Sequence, residues 1–260
     1  MSHRRMLGKF VDAGGLWTPA QVQEDLVYWY DISDSSTVTL SGSLITDVAD
    51  KGNNSRDLVA DTGKEPSLLS ADQNGLDVGD WSAAVAGAVK RLRADFATVS
   101  QPITHASVFN FEDNSGSDVL FDSYDSSNRH VVRAPNPFFQ ADNSLSSALM
   151  DISSPAWAVL TAVANEASSL IRANGGDDSD SGNYGSFGLE GISIGSARGA
   201  PNPITQAATF VFSGKIGEMV GYAGTDSATY ERLEGYLAWK WGLEGNLPTG
   251  HPYKLAAPTI

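Results

Sequence analysis

Glycan hydrolysis, proton relay, cation binding and sugar stacking are the chemistries that side chains of this sequence could serve, and each needs a recognisable set of residues. A retaining glycosidase needs two carboxylates roughly 5–5.5 Å apart across the scissile bond, as an E-x-D-x-x-E run on one strand would supply. The chain has no such run. Glu112, Asp113, Asp118 and Asp122 lie near expected strands, but their spacing lacks that pattern and they are expected at turns or on exposed faces. A Ser-His-Asp relay needs a histidine, and His3, His105, His130 and His251 are the candidates. None stands in a G-x-S-x-G elbow or an H-E-x-x-H helix. Each is read as structural, with His251 tying down the C-terminal tail by a hydrogen bond. The chain carries no cysteine and therefore no thiol chemistry or disulfide framework. No catalytic set is assigned, and the chain is read as a non-enzyme.

Two binding chemistries remain. Asp177-Asp178-Ser179-Asp180-Ser181-Gly182-Asn183 gathers oxygen ligands in one loop, as calcium sites do. It lacks the glutamate that closes an EF-hand loop and is read as a solvated hairpin end, so no metal ligand and no cofactor is assigned. Sugar stacking needs an exposed aromatic ring with polar neighbours; Tyr124 and Tyr184, in loops beside Asp and Asn, are the candidates. Trp17, Trp29, Trp81, Trp157, Trp239 and Trp241 are read as core or clamp residues.

The elements that must position these groups are mostly strands. Short runs rich in β-branched and aromatic residues recur between turn signals such as Lys51-Gly52-Asn53-Asn54, Asp113-Asn114-Ser115-Gly116 and Asn174-Gly175-Gly176. They predict strands at Leu26–Tyr30, Thr37–Leu40, Ile45–Val48, Leu58–Ala60, Ala106–Phe111, Val119–Asp122, Arg129–Arg133, Ala156–Ala164, Ser168–Ala173, Gly191–Ile194, Ala208–Phe212 and Lys215–Tyr222. Thr18-Pro19-Ala20-Gln21 predicts a capping box and a short helix over Pro19–Asp25. A second helix follows Asp226 as N-cap: Tyr230, Leu233, Leu237 and Trp241 form one apolar stripe widened by Tyr236 and Trp239, with Lys240 in the last turn and Gly242 beyond it. Many strands and two short helices argue for two antiparallel sheets packed face to face, with the second helix clamped on one of them.

Composition agrees. A hydrophobic content of 41% suffices for one core at this length, and 26 glycines and 11 prolines supply the turns. Acidic residues outnumber basic ones by 31 to 17, a formal net charge of −14. Such a surface repels phosphate backbones and anionic lipid, which argues against nucleic acid and membrane as partners. No apolar run reaches membrane-spanning length.

Residues 1–15 stand apart: Arg4, Arg5 and Lys9 precede any acid, and with Phe10 they form a basic arm expected to dock on a neighbouring subunit. Two stretches fit no regular element, the basic cluster Lys90-Arg91-Leu92-Arg93 and the proline- and asparagine-rich Ala134–Met150, and both are expected to widen a partner contact. The domain reading is a 1–15 arm followed by one domain over 16–260.

Several blocks resemble one family in order. Leu16-Trp17-Thr18-Pro19-Ala20, Leu26–Asp31 with Ser35–Val38, and Val48-Ala49-Asp50-Lys51-Gly52 open the series. Trp157–Ala162, Ser169–Gly176 and Phe212–Glu218 continue it, and Leu233–Leu243 with Leu247-Pro248-Thr249-Gly250-His251-Pro252-Tyr253-Lys254 closes it. Together they resemble the concanavalin A-like, laminin-G-like jelly-roll modules of tailed-bacteriophage structural proteins. The resemblance implies an all-β jelly roll, assembly in a bacterial cytoplasm and a place in the virion as a capsid decoration or cement protein. Its partners would be the major capsid or tail protein, with Arg4, Arg5, Lys9, Phe10, Lys90, Arg91 and Arg93 in contact; self-association and a host glycan stand as further candidates. The alternative is a lectin-like module that binds glycan through Tyr124 or Tyr184.

Overall fold

Residues Ile103–Phe111 form a strand buried along its whole length except at Asn110. Ile103, Phe109 and Phe111 join one apolar cluster while Ala106 and Val108 join another, so this strand needs cover on both faces. The computed structural model supplies both covers. It describes residues 15–82, 89–112, 118–123, 129–134, 138–141, 156–176, 178–197 and 211–260.

In chain order the strands are β1 (Leu26–Asp31), β2 (Val38–Ser41), β3 (Leu44–Val48), β4 (Leu58–Ala60), β5 (Ser67–Gln73), β6 (Leu76–Asp80), β7 (Leu92–Ala94) and β8 (Ile103–Phe111). There follow β9 (Asp118–Asp122), β10 (Val131–Ala134), β11 (Phe138–Gln140), β12 (Trp157–Ala164), β13 (Ser169–Ala173), β14 (Asp178–Gly182), β15 (Ile192–Ile194) and β16 (Gly214–Tyr222). One α-helix, α1 (Ser227–Lys240), and a 3-10 helix over Pro19–Asp25 match the two expected helices.

The protein is an all-β sandwich, and every named strand pairing among the described residues is antiparallel. One layer runs β11-β10-β9-β15-β7-β4-β3, with β2 beside β3. The other runs β5-β6-β16-β8-β12-β13-β14, and β1 shares the β6 edge of β16. The layers join at a corner where β3 meets β5 through the single pair Leu44–Ser67, so hydrogen bonding continues from one to the other. Inward side chains of both layers, among them Tyr28, Ile45, Phe109, Phe121, Val132, Leu160 and Ile194, make the main core. The outer face of the β16-β8-β12 layer carries the second cluster under α1.

Five strands had no counterpart in the sequence reading. Leu76–Asp80 and Ser67–Gln73 form a hairpin whose turn residues Asn74 and Gly75 have φ of 51° and 75°, the left-handed pair of a two-residue turn. Leu92–Ala94 lies inside the basic cluster, and Phe138–Gln140 lies inside the stretch expected to be irregular. Asp178–Gly182, expected as a solvated loop, is an edge strand paired with β13. The expected strand Ala208–Phe212 falls largely outside the described residues, within which Val211 makes one isolated bridge to Ser196.

Candidate functional site

Two buried carboxylates hold α1 to the sheet. Glu218, on β16, has no exposed surface, and its oxygens accept four hydrogen bonds. Oε1 takes Trp29 Nε1–H (2.7 Å) and Tyr236 O–H (2.9 Å); Oε2 takes Lys240 Nζ (2.7 Å) and Trp241 Nε1–H (3.0 Å). Lys240 also reaches Asp31 (2.8 Å), Asp31 takes Lys51 (3.1 Å), and Lys51 reaches Asp34 (2.6 Å) while lying over the Trp29 ring. Charges therefore alternate in sign from Glu218 to Asp34. Burial would raise the Asp31 carboxyl, but Lys240, Ser33 and Lys51 together leave it below its ordinary value. The hydrogen bonds from Lys51 and Ser36 bring Asp34 down to about 2.

Glu234, on α1 and equally buried, forms an ion pair with Arg172 (Nε to Oε1, 3.0 Å) and accepts from His251 Nε2 at 3.1 Å. His251 Nδ1 accepts from Tyr253 N–H, so Nε2 carries the proton and donates to Glu234. The C-terminal tail is thus tied down by His251 as expected. Trp29, Asp31, Lys51, Arg172, Glu218, Tyr236, Lys240, Trp241 and His251 all come from the motif blocks, and their common task in space is to clamp the helix and tail on the sandwich.

A third polar set crosses the core. Tyr28 O–H bonds His105 Nδ1 (2.8 Å), His105 Nε2 faces His130 Nδ1 (2.9 Å), and His130 Nε2 meets the Phe187 carbonyl (2.7 Å). A carbonyl only accepts, so His130 carries its proton on Nε2. Its Nδ1 then accepts from His105 Nε2–H, and His105 Nδ1 accepts from Tyr28. Burial pushes both histidines down, His130 to about 4, and the second ring lowers His105 further. The chain of bonds is complete with both imidazoles neutral, and it ends on a backbone carbonyl instead of a site where a substrate could sit.

One outer face is covered by α1; the other is that of the opposite layer. Register places Gln140, Val131, Asp122 and Ser193 in one cross-strand row, continued by Arg93, Val59, Asp47 and Thr39. Residues paired across antiparallel strands share a face. The first four are buried, so that half of the face is covered. The second half is open: Val59 is 49% exposed, the Arg93 side chain 36%, and Thr39 is exposed. Arg93 stands at the step between the halves. Its Nε bonds Asp61 Oδ1 at 2.8 Å, while Arg91 takes Asp61 Oδ2. In the covered half, Arg129 bonds both oxygens of Asp122, at 2.9 and 2.8 Å.

The predicted site residues divide accordingly. Arg4, Arg5, Lys9, Phe10, Tyr124, His3 and Asp113 lie outside the described residues, as do residues 135–137 and 142–150 of the irregular stretch. Tyr184 is only 3% exposed and packs edge-on to Phe139, so it offers no face to a sugar; the loop that bears it folds back over the core. Arg91 is buried against Asp61, Lys90 is half-buried and donates to the Asp80 carbonyl at 3.0 Å, and Arg93 is half-buried and paired with Asp61. Asp122, expected on an exposed face, is fully buried beneath Arg129. Glu112 is exposed and accepts from Ser82. Trp17, Trp29, Trp81 and Trp241 are buried, while Trp157 stacks on Trp241 and Trp239 bonds the Tyr253 carbonyl, as core or clamp residues do. Among the described residues no three His, Asp or Glu side chains are grouped to hold a metal ion. The outward placement of Val59 and Arg93 could have been found from the sequence, since each stands between inward apolar neighbours.

No protein-family model matches this chain, and no curated protein matches it. Solved structures do. The chain is similar to botulinum neurotoxin type C, whose cell entry is dependent upon interaction with two ganglioside molecules: 10% identity, TM-score 0.57, 85% of this chain and 53% of that one. It is similar to the binding domain of botulinum neurotoxin DC in complex with SialylT at 10% identity and TM-score 0.56, covering 83% and 52%. A GH54 α-L-arabinofuranosidase variant soaked with 4-nitrophenyl α-L-arabinofuranoside matches at 12% identity and TM-score 0.52, covering 86% and 59%. The chain thus spans about half the length of the toxin domains. At these identities the likeness is one of fold.

Proposed function

We propose that this protein is a carbohydrate-binding module that holds a glycan without turning it over, on the open half-face formed by Arg93, Val59, Asp47 and Thr39. The observation that carries this reading is that half-face: a donor, an apolar patch, an acceptor and a hydroxyl stand in one row, at strand spacings of about 4.8 Å. A row of that pitch matches the alternation of hydroxyls and C–H faces along a saccharide. The strands beneath it are rigid because their inward side chains are buried. Supporting it, fold neighbours include a toxin that interacts with gangliosides and an arabinofuranosidase soaked with an arabinofuranoside. The lectin-like alternative of the sequence reading therefore takes precedence, but through Arg93 and its row in place of Tyr184. A virion decoration role rests on the motif resemblance and the basic arm, and the fold neighbours named above lend it no support.

Affinity electrophoresis in gels carrying arabinan, xylan, polygalacturonate or a sialylated glycan tests the proposal. Retardation on at least one is expected, with no release of reducing sugar. Val59→Arg, at a half-exposed position, should weaken it at least tenfold, while Arg232→Ala on the exposed side of α1 should not. Failure on every gel, or a Val59→Arg protein retarded as strongly as the parent, refutes the reading.

A further inference from the structure

We propose that the open edge of β2 is a self-association surface, on which β2 of a second copy of this chain pairs antiparallel about a two-fold axis at Thr39. This goes beyond glycan binding and does not depend on it. β2 ends its layer: it pairs with β3 on one side, and among the described residues no strand lies on the other. The backbone shows which groups are left over. Ala49 N–H donates to the Thr37 carbonyl and Thr46 Oγ1–H to the Thr39 carbonyl, so residues 37 and 39 turn their carbonyls to β3. Alternate residues of an antiparallel strand bond to opposite sides. Val38 and Leu40 therefore direct their N–H and C=O groups outward, away from β3. The irregularity in this ladder puts an extra residue, Thr46, on β3 and leaves β2 regular.

Leu40 stands opposite the fully buried Ile45 and shares its face of β2 with Val38, which packs on the main core. Yet Leu40 is 42% exposed, because the layer stops there. A strand added beyond β2 would cover it. Edge strands of proteins that stay apart are blunted by charges, proline or bulges. β14, at the end of the other layer, carries Asp178 and Asp180, whereas residues 35–46, which hold all of β2, include no charged residue and no proline. That contrast selects the occupant. With a formal net charge of −14, two copies of the chain repel in most approaches, and a cationic partner would be drawn to carboxylates elsewhere; on this edge a copy meets none. With the axis at Thr39, Val38 of each copy opposes Leu40 of the other, so their backbone groups exchange hydrogen bonds in both directions and each Leu40 lies against a Val38. Asp47, next to Thr39 in the ladder, would then stand three strand spacings from its copy, about 14 Å. That exceeds the screening length of about 8 Å at physiological salt. Thr39 ends the open row described above, so the pairing would join the rows of both copies into one.

Sedimentation velocity on the full chain tests the proposal. A monomer–dimer equilibrium is expected, with the dimer gaining as concentration rises. Leu40→Lys removes the apolar contact at the centre of the pairing and should weaken the dimer about tenfold or more, with the circular dichroism unchanged. Ser179→Lys, at an exposed position on the β14 edge, should leave the dimer as it is. The register is read with cysteine, which the chain lacks. Thr39→Cys should oxidise to a disulfide-linked dimer, since a facing pair of this kind has Cα atoms about 4.5 Å apart, within the reach of a disulfide. Ser41→Cys should not, because the register displaces its copy by roughly 14 Å along the strand. This pair of variants keeps the test open should Leu40→Lys unfold. A chain that is monomeric at every concentration overturns the inference and leaves the edge to a strand of another protein. A dimer that withstands Leu40→Lys, or one in which Ser41→Cys oxidises as readily as Thr39→Cys, overturns it too.

Discussion

Acidification should destabilise this protein, and the two core histidines set the direction of the effect. His130 is held at about 4 against an ordinary 6.5, chiefly by burial, with the Phe187 carbonyl opposing. His105 is likewise held well below 6.5, by burial and then by His130. The rings packed around them are Tyr28, Phe121 and Phe139, none of which offers a carboxylate to stabilise an imidazolium. A base depressed in the folded state binds more protons when unfolded, so its stabilisation is complete above pH 6.5 and is lost as pH falls towards the folded value. At about pH 5, His130 costs about 2 kcal/mol relative to pH 8, and His105 adds a loss of the same sign. That is a large share of the roughly 5–15 kcal/mol that holds a domain folded. Asp31, Asp34, Asp61 and Asp226 are depressed from 3.8, so what they contribute is lost only below that range and does not blur the window. Urea unfolding followed by tryptophan fluorescence between about pH 8 and about pH 5 measures the loss directly. The His105→Gln/His130→Gln double variant should be less stable at pH 8 but nearly flat across the window. A parent protein whose stability changes by less than about 1 kcal/mol over the same range, or a double variant with the parent's slope, would refute a neutral relay in the core.

Replacing Glu218 by Leu leaves two indoles, a phenol and an ammonium without their shared acceptor and should cost roughly 3–5 kcal/mol, read as a lower urea midpoint and loss of α1 protection in hydrogen exchange. Tyr184→Ala should cost roughly 3–5 kcal/mol of stability as a core truncation; at temperatures where the variant remains folded its glycan affinity should equal the parent's, and a selective loss of binding would restore Tyr184 as a ligand residue.

Much of the fold was legible in order along the chain. The apolar, β-branched and aromatic runs at Ala106–Phe111 and Ala156–Ala164, the left-handed Asn174-Gly175-Gly176 turn, and Asp226 and Gly242 at the ends of α1 are local signals, set by side-chain type and backbone sterics. Asn74-Gly75 carried an equally local signal, and with it the β5–β6 hairpin could have been read. The short strands β7 and β11 could not, because three residues give no period to detect. Side-chain fate was less accessible still. Asp122 and Tyr184 sit among turn-forming residues and look solvated until Arg129 and Phe139 arrive from other strands.

By itself, then, the sequence determined that the chain makes antiparallel strands with a capped C-terminal helix, because periodicity and caps act within a few residues. Only the tertiary structure decided what the polar residues do. Glu218 meets Trp29 across 189 positions of chain and His105 meets Tyr28 across 77. Whether a carboxylate or an imidazole is buried and paired depends on which distant strand packs beside it, and no local pattern encodes that neighbour.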